Sequence, residues 1–523
     1  MSTRAPDRGP IDVLVVGGGH NGLVTAAICA RAGLRVLVAE EKPVLGGAVR
    51  TETPFRAAPE LRSSTGAYLL GLMPPELITE LSLSLPLIKR DPHYFLPTTE
   101  RGRYLLLGSD AARNHAGFVR FSSEKDYLAH QALERELSDL RADLAPTWLS
   151  EPLSIEDTAE RFVRPGLREI FVDLCRKPVK DYLCRFGFES EIILAMYAVT
   201  DAFSGLFGMW DTPGTGMNFL IHNMCRLPGS DGTWMMVRGG MGSVTQALYE
   251  AAIRFGARVE TGAGVERILI DGNGAVGARL ADGREIEANT VIVNADPFRM
   301  RMLVGRESLP PEYNVRLDGY RRPGSTLKVN LALSGLPQFT CLPEPAGQHG
   351  TTIHLLPERD VLGSLKRAFA DAKAGRLPDL PAIEWYVHTS LDASMKDSAG
   401  RHSAALFVQW VPYEITGSSW EAEEDRYVGH LFSICDRFAP GFSELVVDRF
   451  VLHPKRIEEH FGITYGHIHH VDNTFGFADR LPTATPISGL YSASAACHPA
   501  GSVIGAAGYI AAKRVLADLA VEH

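Results

Sequence analysis

"VVGGGHNGLVTAA", Val15 to Ala27, is the stretch on which the fold turns. It closes "IDVLVV" (Ile11 to Val16), a short apolar run rich in β-branched residues, which predicts a buried strand. Gly17, Gly19 and Gly22 then satisfy G-x-G-x-x-G, and "LVTAAICARAG" carries alanine-rich helical spacing that stops at Gly33. "LRVLVAEE" reads as a second strand ending in acid. The glycines therefore fall between a strand and a helix inside one βαβ unit, the context that gives the motif meaning. Gly17 allows the tight turn, Gly19 lets the backbone approach a pyrophosphate, and Gly22 lets the helix pack on the strand. The exposed N–H groups and the helix dipole receive the negative charge. Glu40 ends the second strand, where a carboxylate accepts hydrogen bonds from ribose hydroxyls and disfavours a 2′-phosphate. Asn21 opens the helix and is counted with the cofactor residues. His20 beside it is given only a turn-shaping role.

The rest of the composition narrows the setting. The chain has 523 residues, enough for two large or interleaved domains. Hydrophobic residues make up 45% and charged residues 22%, ordinary values for a globular protein. The net charge of -9 argues against a nucleic-acid partner, which needs a basic patch. Seven scattered cysteines with no C-x-x-C pair predict free thiols in a reducing compartment, hence a cytoplasmic protein, with no zinc site. The short polar start "MSTRAPDRGP" does not read as a secretory signal. No long uninterrupted apolar run predicts a spanning helix, while a peripheral membrane contact stays open.

A second glycine loop follows the first. "EKPVLGGAVRT" (Glu41 to Thr51) places Gly46 and Gly47 soon after the ribose acid, with Glu41 and Lys42 beside them. This is similar to the downstream motif of FAD-binding oxidoreductases, R-x-G-G-R-x-x-[ST], although Val44 and Ala48 stand where arginines are usual. A simple NAD dehydrogenase has no need of this loop. Further along, "VRGGMGSVTQALYEAAIRFGARVET" returns to the loop–helix–strand style. Thr245 at its third glycine position favours a middle βαβ unit over a second nucleotide site. "GAVGARLADGREIEANTVIVNADP" reads as a hairpin followed by another short parallel strand. The expected architecture is α/β. A Rossmann-like cofactor domain is built from residues 1–75, 230–300 and 456–523, with an α+β substrate domain inserted as 76–229 and 301–455.

The order of these motifs, with the central "GGMGSV" and the terminal "CHPAGSVIGAAG", resembles the phytoene desaturase and carotenoid isomerase class of FAD flavoproteins. Within that class the chain is most similar to the branch named after pyridine nucleotide-disulfide oxidoreductase domain-containing protein 2. "GAYLLGLMPPELITEL", "TDAFSGLFGMWDTPGTGMNFLIHNM", "GTWMMVRGGMG" and "RFAPGF" carry the likeness, which covers nearly the whole chain. The resemblance implies a GR2-type fold and non-covalent FAD. It assigns Gly17, Gly19 and Gly22 to the pyrophosphate, Glu40 to the ribose, Gly47 to the neighbouring loop, and the Val265 backbone to the adenine edge. His498, Gly501, Ser502 and Val503 are expected beside the isoalloxazine, although Ala500 and Ser502 interrupt the usual all-glycine run.

Flavin enzymes of this shape take a hydride from a C–H bond onto flavin N5. His222, in the aromatic insertion, is the candidate catalytic residue, against the plainer reading of a hydrogen-bonded core histidine. Asp201 and Lys328 match family positions and read as structural pairs. His467, His469 and His470 lack a carboxylate at helical spacing, so no metal is expected. Phe203, Phe207, Trp210, Phe219 and Trp234 either line an apolar slot or form core. The leading function is an FAD-dependent dehydrogenase or desaturase of an apolar or conjugated substrate, with an unspecified electron acceptor such as O2 or a quinone. A redox-neutral flavin isomerase, an amine oxidase and a non-catalytic FAD-bearing interaction protein are the alternatives.

Overall fold

A computed structural model describes residues 11–521; the polar start read above lies outside them. Among the described residues, two seven-stranded sheets face each other across a long cavity, and a helical lobe covers one end.

The first sheet runs in the order 258–261, 36–40, 11–16, 285–293, 274–280, 265–271, with Leu490–Ser492 added beside 285–293. Its central pairings are parallel, with Val13 opposite Val36 and Val16 opposite Val293. Ile11–Val16 and Val36–Glu40 are covered on both faces, which is why they read as continuous apolar runs. The first helix (His20–Arg31) packs its alanines against Gly242–Arg254 on one side and the terminal helix (Ala506–Val521) on the other. Leu23, Val24, Ala27, Val244, Leu248, Ala511 and Val515 form that core.

Glu285–Val293 does two jobs. Its alternating first half, "EIE", hairpins antiparallel to Gly277–Arg279, and its apolar second half, "TVIV", runs parallel to the first strand. The hairpin arm and the parallel strand expected separately are thus one strand that changes partners where its polar face ends. The expected boundary at residue 300 also moves. Helix Pro297–Val304 crosses it, and Phe298, Leu303, Tyr313, Leu317 and Tyr320 pack onto Leu14, Val16 and Val291 of the first sheet.

The second sheet runs 446–452, 326–333, 402–409, 382–387, 352–355, 94–97, 104–107. One face buries Leu327, Val329, Leu331 and Trp385 against the helix Trp420–Phe438. Strand periodicity turns the alternate residues to the cavity. Leu452, Lys328, Phe407, Glu384 and His354 are successive cross-strand neighbours in a single row. No helix among the described residues is long and apolar enough to cross a membrane.

Candidate active site

One end of the cavity is walled by backbone. Gly17 has φ +99, and a Cβ there would lie 3.3 Å from the Asn294 carbonyl oxygen. A Cβ on Gly19 would lie 2.8 Å from Asn294 Nδ2, so only glycine leaves this wall open. Glu40 is 8% exposed on the cavity wall. Its Oε2 accepts the Gly18 N–H at 2.7 Å and its Oε1 the Lys42 N–H at 2.8 Å, so the expected ribose acid also shapes the loop. The two glycine loops are joined by the Gly46 N–H donating to the Gly18 carbonyl at 2.9 Å.

Glu41, Lys42, Gly46, Gly47, Asn21 and Val265 continue the same wall. Asn21 Oδ1 and His20 Nε2 are buried there without a hydrogen-bond partner among the described residues. A glycine-walled cradle at the N-terminus of the first helix, with Glu40 beside it, is what an anionic dinucleotide would fill. The cradle therefore fits a dinucleotide.

Three expected cofactor contacts lie behind the wall. A Cβ on Gly22 would sit 2.2 Å from the Gly17 carbonyl oxygen, so this glycine lets helix and strand touch and does not itself face the cavity. Gly501 has no room either: a Cβ would meet His469 Cα at 2.4 Å, and its carbonyl accepts from His469 Nδ1 at 2.8 Å. His498 turns away and bonds the Thr147 carbonyl through Nε2 at 3.0 Å. Ser502 and Val503 do reach the cavity. Behind this loop the fully buried Arg480 donates to the carbonyls of Val471, Phe475, Ala495, Ala496 and Cys497, clamping two loops together. The central "GGMG" turn is a clasp and not a second nucleotide site. Thr51 Oγ1 accepts the Gly242 N–H at 2.9 Å, and Thr245 Oγ1 donates to the Val49 carbonyl at 2.5 Å.

The other end is walled by side chains. A π-helical turn, Ala198–Phe203, carries Thr200 and Asp201 to the cavity; such turns are frequent at functional sites. Asp201 Oδ2 accepts from Asn223 Nδ2 at 3.2 Å. Burial pushes the Asp201 carboxyl up to about 7, partly offset by that hydrogen bond. His222 is on the wall with Nδ1 3.9 Å from Asp201 Oδ1, and burial pushes it down to about 4. Its carbonyl accepts from Trp234 Nε1 at 3.2 Å.

Across the cavity, Glu384 Oε2 accepts the Tyr386 hydroxyl at 2.5 Å and the Tyr68 hydroxyl at 3.5 Å. Lys328 Nζ donates to the Ser64 and Gly66 carbonyls, each at 2.6 Å, and lies 4.5 Å from the Tyr68 ring centroid. Burial draws its pKa well below the ordinary lysine value. Of the aromatics expected for a slot, Trp234 is on the wall, whereas Phe203 and Phe219 are fully buried core. The three neighbouring histidines do not converge: His467 faces Asp472, His469 bonds Gly501 and Ser204 carbonyls, and His470 bonds Ser494 Oγ. No group of three potential metal ligands occurs among the described residues.

Residues 22–335 match the model of the family described as flavin containing amine oxidoreductase. The chain belongs to this family. A mouse relative, pyridine nucleotide-disulfide oxidoreductase domain-containing protein 2, is 33% identical over 97% of this chain and 94% of its own. Hydroxyneurosporene desaturase of Cereibacter sphaeroides is 29% identical over 54% of this chain and 56% of its own. A solved oxidoreductase from Methanosarcina mazei shares the fold, with a TM-score of 0.62 at 19% identity, covering 97% of this chain and 100% of its own. This flavoprotein is an FAD-dependent oxidoreductase. Tyr68, Glu384 and Tyr386 were not foreseen as site residues, and Asp201 and Lys328 were read only as structural pairs. The legible signal was an acid or lysine inside apolar runs, "AIEWYV" and "TLKVNLAL", where a strand interior should hold none.

Proposed function

We propose that the protein is an FAD-dependent dehydrogenase of a largely apolar organic substrate, with Asp201 accepting the proton released as the substrate carbon is oxidised. The observation that carries this is Asp201 itself: a carboxyl on the cavity wall, raised by burial to about 7. A general base works best with a pKa near the operating pH. Bound FAD supplies the hydride acceptor. His222, pushed down to about 4, is neutral at pH 7 and too weak a base to hold the proton. It orients Asp201 and closes that corner with Trp234. Leu69, Trp234 and Phe407 exclude water from the reacting end, while Glu384, Tyr386 and Tyr68 offer polar contacts to one end of the substrate. A cytoplasmic setting is part of the proposal and is supported by cysteines that are all free.

A second reading, an amine oxidase, is favoured by the aromatic rings of Tyr68, Tyr386, Trp234 and Phe407 around two carboxylates, a setting that suits a cation. Anaerobic mixing of the flavin-loaded protein with matched hydrocarbons, alcohols and amines separates the two by which class bleaches the flavin. For the dehydrogenase the bleaching rate should rise as pH passes through about 7, and that limb should vanish in Asp201→Asn. Equal rates and equal pH profiles in the two proteins would remove Asp201 from the chemistry. Product formed with no net electron transfer would point to the isomerase instead.

A further inference from the structure

The second glycine loop lacks both arginines of the motif it resembles, since Val44 and Ala48 stand in their places. The structure nonetheless puts an arginine on that part of the wall. Arg50 lines the cavity beside Ala48, with its side chain 8% exposed. Its Nη2 donates to the His460 carbonyl at 3.3 Å, and its guanidinium lies 5.0 Å from the Phe461 ring centroid. Its Nε is buried with no hydrogen-bond partner among the described residues. Glu52 approaches that Nε only to 4.0 Å, and Glu52 Oε2 is occupied by Thr65 Oγ1 and His460 Nε2. Glu52 thus balances charge without taking the free donor.

The neighbours place Arg50 midway along the cavity. Phe461, which it covers, is followed by Gly462, whose Cβ position is 3.5 Å from Arg299 Nη1; Arg299 pairs with Glu41 at the ribose end. On the other side Gly66 abuts both Ala48 and Phe461, and its carbonyl is held by Lys328 at the substrate end. Arg50 is thus a cation on the cavity wall with one donor left unpaired, lying between the nucleoside end and the substrate end, the span that a dinucleotide fills with its pyrophosphate. We propose that Arg50 binds a pyrophosphate oxygen of FAD and takes over the task of the missing motif arginines. A charge-assisted hydrogen bond from a planar guanidinium is among the stronger polar contacts, and leaving the donor orphaned would be costly.

The test compares cofactor fragments on the deflavinated full chain. Wild-type protein should bind FAD much more tightly than riboflavin, which has no phosphate. In Arg50→Met the affinity for FAD should fall by roughly 10- to 100-fold while that for riboflavin is unchanged. Arg50→Lys, which keeps the charge but loses the planar fork, should fall between. If Arg50→Met does not fold, Arg50→Lys is read by thermal melts, where the extra stabilisation by ADP over adenosine should shrink. Equal losses for FAD and riboflavin would show a packing role, and no loss for either would show an idle arginine. Either result overturns the assignment, and neither depends on which substrate the enzyme oxidises.

Discussion

At the nucleotide end of the cavity the wall is main chain, shaped by glycines, with Glu40 tying two loop N–H groups. At the substrate end it is side chain: Asp201 from a π-turn, Glu384 and Tyr386 from one strand, Lys328 from another, Tyr68 from a loop. The first end holds a ligand by leaving space and presenting fixed dipoles. The second holds ionisable groups, among which burial raises Asp201, Tyr68 and Tyr386 and lowers Lys328. A wall of the first kind tolerates no added atoms, and one of the second kind tolerates changes of shape but not of charge.

The sharpest break of that contrast is Gly22→Ala. The new methyl would meet the Gly17 carbonyl oxygen at 2.2 Å, which no side-chain motion relieves. The protein should purify without flavin and lose on the order of 1–3 kcal/mol or more of stability, read from flavin content and Tm. Normal yellow protein would show that the helix can move away freely.

Next in size, Asp201→Asn should keep full FAD content and slow flavin reduction by substrate roughly 10²- to 10⁴-fold. It should also be more stable than wild type in mild alkali. The folded chain holds the Asp201 proton up to about 7, against 3.8 for the ordinary group. Its contribution to stability is therefore full below 3.8 and lost as pH rises through that window. Melts at pH 5 and pH 8 should show the variant's gain on wild type to be larger at the higher pH. An equal gain at both would point to relief of strain unrelated to charge.

Glu40→Ala should weaken FAD binding by roughly 10- to 150-fold, the worth of a charge-assisted hydrogen bond. Since Glu40 also holds the Gly18 and Lys42 N–H groups, adenosine affinity should fall with it. An unchanged affinity for adenosine would mean that the carboxylate serves the loop alone.

The smallest effect should come from His222→Ala: normal flavin content and a reduction rate within roughly 10-fold of wild type, because the ring is neutral and acts through Asp201. A loss as large as that of Asp201→Asn would return the proton to the histidine.

The same contrast explains what the sequence could tell. Gly17 to Glu40 is a contiguous signature in which each residue type answers a backbone demand, so fold and cofactor were legible from it. The substrate end draws single residues from elements hundreds of positions apart, and no local pattern joins Asp201 to Glu384. Of the four C-terminal residues expected beside the flavin, Ser502 and Val503 meet the cavity, whereas Gly501 is consumed by His469 and His498 by Thr147. The boundary near residue 300 was misplaced for a related reason: Gly305, Pro310 and Pro311 only punctuate the helices between Pro297 and Gly319, and those helices still pack Phe298, Leu303, Tyr313 and Leu317 onto the first sheet.

Leu490–Ser492 completes the first sheet by pairing with Val291–Val293, and the loop it feeds brings Ser502 and Val503 to the cavity. On the ribosome, the glycine cradle is made first and this strand among the last elements, several hundred residues later. The growing chain carries an open-sided cradle through most of its synthesis, at a stage when domains ordinarily fold in order from the N-terminus. Tight FAD binding is therefore expected only after Leu490–Ser492 has joined the first sheet. A nascent chain stalled before residue 490 should bind no flavin, however complete its first 300 residues are.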